Sequence, residues 1–153
     1  MNLQRSITVL ACVVLSALAV ADTAAEPDLK QIMQDLRNNT VSMLDGLLTD
    51  DFDAVVVAAN GIAHHPAIPG AQVQLVAREL GAEMPAFKQF DQQVHDLSLS
   101  ILAAAKEQDR ARAVADYQHM LSGCLACHAA YKERVSKVLS ATGDTATKSR
   151  YPR

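Results

Sequence analysis

The chain has 153 residues, half of them hydrophobic, and a formal net charge of −3. That is enough for one domain with a sizeable core and too little for two. The mild acidity and the scatter of its charges exclude nucleic-acid binding as the chain's business.

The first segment does not look like part of the fold. Arg5 precedes an apolar run, Ile7 to Val20, and Ala19-Val20-Ala21 offers the small residues of a cleavage site. Residues 1–21 are therefore expected to be a secretory signal peptide, with Ala25 as the alternative cut. Losing Arg5 takes the net charge to −4 and places the product outside the cytoplasm, in the periplasm. Cys12 leaves with the leader, so the mature chain keeps only Cys124 and Cys127. No second apolar span follows, and no stable membrane insertion is expected.

Beyond the leader, the pattern is helical throughout. Pro27 opens a first helix whose apolar face runs Ile32, Met33, Leu36, Met43, Leu44, Leu47. Thr49 or Asp50 is the expected cap of a second helix, which carries Phe52, Val55, Val56, Ala59, Ile62 and Ala63 and ends at Pro66. Residues 66–71 read as a loop, and a short helix spans Val73 to Leu80, closed by Gly81. Pro85 sits in the first turn of the third main helix, striped by Phe87, Phe90, Val94, Leu97, Ile101 and Ala105. Asp109 caps the fourth, with the stripe Val114, Tyr117, Leu121, Cys124, His128, Tyr131, Val135, Val138. The pattern fades over 142–153, read as a flexible C-terminal tail. Four amphipathic helices with mostly short connections predict an all-α, antiparallel four-helix bundle.

The last helix carries the chemistry. Both mature cysteines and a histidine fall in Cys124-Leu125-Ala126-Cys127-His128. Positions i, i+3 and i+4 share a helix face, so the three side chains are expected to point into the bundle together. Cys-x-x-Cys-His is the attachment sequence of c-type haem. Two thiols at that spacing bond to the two vinyl groups on one porphyrin edge, and the adjacent imidazole reaches the iron. A thioredoxin-like dithiol would expect strand–helix alternation, which is absent. A structural zinc site would want a fourth ligand. Gly123, mid-helix, would suit close approach of a porphyrin edge or plain tolerance at the helix surface.

These residues resemble the cytochrome c-prime family, the class II c-type cytochromes, down to Tyr131 and Lys132 after the motif. The resemblance implies a four-helix domain over 22–141 with one covalently attached haem c. It implies thioether bonds to Cys124 and Cys127, His128 as an iron ligand, and Tyr131 and Lys132 against the haem. The opposite iron face is filled by a methionine in low-spin relatives and left to an apolar blocker in high-spin ones. "IMQDLRNN" resembles the opening of the low-spin group and points to Met33 as sixth ligand, against the alternatives of Met43 or none. Met33 could instead be core filler, with Leu36 as blocker. The implied function is periplasmic one-electron transport with redox proteins as partners, and a homodimer is compatible with the family. The alternative is a five-coordinate haem protein binding NO or CO. No catalytic set is visible, so an enzyme is not expected. His64, His65 and His95 could gather a metal, though helix-end and surface roles are commoner for histidine.

Overall fold

The computed structural model describes residues 26–150, with side chains through 141. The leader reading, residues 1–21, lies outside the described residues, as do 151–153. The described chain is an all-helical bundle: α1 (Leu29–Thr49), α2 (Phe52–Ala63), α3 (Gly70–Leu80), α4 (Met84–Lys106) and α5 (Arg110–Arg150). No helix among the described residues is long and apolar enough to cross a membrane.

Caps explain most of the boundaries. Asp28, in extended backbone, accepts the Gln31 N–H at 2.7 Å and starts α1. The α1–α2 junction corrects the expected cap. Asp50 adopts the left-handed conformation (φ 62°) and closes α1, while the Asp51 N–H donates to Gly46 O at 2.9 Å. That leaves Asp51 to accept the Ala54 N–H at 3.0 Å and cap α2. Helix α2 stops at Ala63, short of Pro66, because the residue before a proline is pushed out of helical backbone. Helix α3 begins three residues earlier than expected, since Pro69 O accepts both the Gln72 and Val73 N–H groups. Pro85 stands in the first turn of α4, and Asp109 accepts the Arg112 N–H at 3.1 Å to cap α5, both as expected. Helix α5 runs on to Arg150, past the end of the apolar pattern, because no proline interrupts it before Pro152.

Packing follows chain order: α1 lies on α2, α2 on α4 and α4 on α5, with α3 leaning against α5. A Cβ on Gly46 would stand 2.9 Å from both Asp51 O and Val55 Cγ2, so only glycine lets α1 and α2 approach this closely. The ends of the row, α1 and α5, meet only sparsely. Two hydrogen bonds bracket the stretch between them. Tyr117 Oη donates to Thr40 O at 3.3 Å on one side, and the Leu29 N–H donates to Gln72 Oε1 of α3 at 2.7 Å on the other.

The core itself is divided. One cluster gathers Met43, Leu47, Val55, Ile62, Ile101, Ala113, Tyr117 and Met120. The other gathers Leu29, Val76, Leu80, Tyr131 and Val135, with Phe87 and Phe90 packed on it. On α5 the break falls between Met120 and Tyr131.

Candidate functional site

Along α5 the inward line runs Ala113, Tyr117, Met120, Cys124, Cys127, Tyr131, Val135, in steps of three and four. Cys124 and Cys127 are the half-buried members, and they fill the interval between the two core clusters. Cys127 touches the Tyr131 cluster; Cys124 belongs to neither. His128 corrects the expected seam, for it is exposed. One residue turns the helix by about 100°. With the line centred on Cys124 and Cys127, His128 therefore sits on the flank, at the outer edge of the motif. Its backbone neighbours the thiols, but its side chain is not part of the core.

Burial sets the chemistry of the thiols. It pushes the Cys124 thiol up from its ordinary value. Burial also pushes Cys127 up to about 11, with smaller contributions from Cys124 and from the Asp91 carboxylate. Both are thus protonated at neutral pH, the reverse of the activated thiolate in a dithiol oxidoreductase. Among the described residues, no three His, Cys, Asp or Glu side chains gather closely enough to hold a metal ion by themselves.

The methionines separate by burial. Met43 and Met120 are 0% exposed and belong to the first core cluster. Met33 is 39% exposed, and so is not the core filler of the alternative reading. Its neighbour Ile32 is 1% exposed yet belongs to neither cluster, so this part of α1 shares the interval between them. Leu36 packs partly against the first cluster.

The flanking residues find other partners than expected. Tyr131 is buried, with its ring edge-on to Phe87 (centroids 5.6 Å apart, 83° between planes) and to Phe90 (6.2 Å, 67°). The aromatic stripe of α4 was legible in the sequence, but its partner was not. Lys132 is exposed. Arg134 bonds to Glu79 at 3.2 Å and Glu83 at 2.8 Å. Gly123 faces α4, where an added Cβ would meet Gln93 and Val94 at an ordinary 3.7 Å.

His64, His65 and His95 do not converge on a metal site. His64 Nδ1 lies 3.1 Å from Asn60 O, and His95 Nδ1 3.1 Å from Asp96. That contact, with a bond from Gln92, lowers the Asp96 pKa. His65 Nδ1 donates to Pro66 O at 2.8 Å, and its Nε2 stands 3.6 Å from Asp91 Oδ1. His119 is exposed beside an open surface trough lined by Gln89, Gln92, Gln93, Asp96 and Leu97. Comparison with known protein families, with curated proteins and with solved structures finds no match to this chain.

Proposed function

We propose that this protein is an exported c-type cytochrome of the four-helix kind, a periplasmic one-electron carrier with one haem bonded to Cys124 and Cys127. One observation carries the reading. The two cysteines among the described residues stand half-buried on the inward line of α5, in the interval where the core divides.

The residues present fit such a group. Two thiols three residues apart can anchor one edge of a flat macrocycle, and their raised pKa values keep them as the S–H form that adds to a vinyl group. Helix α1 meets α5 only sparsely, so room between them costs few native contacts. Ile32 is buried on this part of α1. His128 would supply an imidazole from the outer flank, and Met33, accessible rather than sequestered in the core, a thioether from α1. When bound, the haem supplies a reversible one-electron couple, and a Met/His ligand pair favours electron transfer over small-ligand binding. Redox proteins are the partners that follow.

The test is the absorption spectrum of exported, purified protein: oxidised, reduced, and reduced with CO. A low-spin spectrum with a sulfur-to-iron charge-transfer band and no CO response supports the Met/His carrier. A high-spin spectrum that shifts with CO moves the protein to the five-coordinate, gas-binding reading, with Leu36 as the apolar residue at the open face. Absence of covalent haem defeats both.

A further inference from the structure

The register of α4 against α5 places one charge at the edge of the motif. Gly123 lies opposite Gln93 and Val94, and Tyr131 opposite Phe87 and Phe90. Antiparallel helices of equal rise then bring Cys127, midway between Gly123 and Tyr131, level with Asp91. Cys124, one turn away, is level with apolar Val94. Asp91 is 63% exposed. His65, at the end of α2 and only 22% exposed, stands 3.6 Å from its carboxylate and is itself held by Pro66 O at 2.8 Å.

We propose that Asp91 is a potential-setting residue: a negative charge at the Cys127 edge that favours the oxidised, more positive form of the bound group. This rests on the haem reading above. Asp91 acts across space, touches no reacting atom, and is an electrostatic positioning residue rather than a catalytic one. One charge acting across a helix–helix spacing of about 10 Å, screened mostly by water because the carboxylate is 63% exposed, changes an equilibrium roughly two- to fivefold.

The experiment is a redox titration of the haem-loaded protein, its Asp91→Asn variant, and Asp53→Asn as a control. Asp53 lies in the first turn of α2, at the other end of that helix from His65. Asp91→Asn should raise the reduced-to-oxidised ratio at a fixed ambient potential by roughly two- to fivefold, with spin state unchanged, while Asp53→Asn moves it far less. High salt should shrink the difference between wild type and Asp91→Asn, because screening acts on a charge and not on a loosened fold. A ratio unchanged by Asp91→Asn, or changed equally by Asp53→Asn, or changed by an amount that salt leaves intact, overturns the assignment. Exported protein without covalent haem overturns the parent reading as well, so the two failures look different.

Discussion

Met33, Met43 and Met120 divide by burial, and their truncation should divide two observables in the same way. Met43 and Met120 are 0% exposed, so Met43→Ala and Met120→Ala each lose the transfer energy of a buried side chain and leave a cavity, about 2–5 kcal/mol. In Met120→Ala the Ser98 hydroxyl keeps its 2.7 Å bond to Val94 O, so the loss there is one of packing. Met33 is already 39% exposed. A fully buried methionine contributes about 1.5–3 kcal/mol, so Met33→Ala should cost about 1–2 kcal/mol at most. At about 3–5 °C per kcal/mol for a domain of this size, the two core variants should melt about 6–25 °C lower. Met33→Ala should melt about 10 °C lower at most, and less than either core variant. The melts are to be followed by far-UV circular dichroism in a background with Cys124→Ser and Cys127→Ser, which keeps iron ligation out of the comparison. The haem-loaded proteins give the second observable. There Met33→Ala should convert low-spin iron to high spin and let CO bind, while Met43→Ala and Met120→Ala keep the wild-type spectrum. The reasoning fails if Met33→Ala keeps its spin state, or if Met43→Ala changes spin with little loss of melting temperature.

Three further outcomes follow from other parts of the structure. His128 is exposed and makes no contribution to the core, so His128→Ala should leave haem attached and the melt of the haem-free chain nearly unchanged, yet alter axial ligation; unchanged iron spectra would exclude His128 as ligand. The chain with free thiols should lose stability as pH rises from the ordinary thiol value of 9.0 towards about 11. Within that window the folded chain holds the Cys127 proton that the unfolded chain has released, whereas below it both are protonated and the contribution is intact. Denaturant melts against pH read the slope, which Cys127→Ser should flatten. The glycines should respond with opposite signs: Gly46→Ala drives a Cβ to 2.9 Å from Asp51 O and should cost about 1–3 kcal/mol. Gly123→Ala meets only ordinary contacts and should gain about 0.5–1 kcal/mol with haem content unchanged. A drop in haem content in Gly123→Ala would restore the idea that a porphyrin edge needs that glycine.

Much of the fold is legible because helix periodicity and punctuation agree. Pro85 and Asp109 sit where a first-turn proline and a cap belong, and the α4 stripe from Phe87 to Ala105 leads into the core. The misreadings have local physical causes. Thr49, Asp50 and Asp51 are three successive cap formers, and only the left-handed backbone at Asp50 selects the last of them. On α5, stripes through Cys124–Cys127 and through Cys124–His128 fit three-and-four spacing equally well. Packing against α4 centres the line on the former and leaves His128 at the rim. Met33 and Leu44 fall on a plausible apolar face of α1, yet they stay exposed because α1 has one close neighbour, α2, and barely meets α5. The divided core depends on how distant segments stack, and no spacing rule contains that information. The motif is the opposite case. Two cysteines and a histidine announce their chemistry in five residues, while the wall that faces them emerges only once the chain is folded.

The most direct measurement of the central claim is the intact mass and free-thiol content of the exported protein. The account predicts cleavage near Ala21, a mass increased by one haem that survives denaturation, and no thiol left to titrate. A protein at its bare mass, with Cys124 and Cys127 both free or joined to each other, would contradict it.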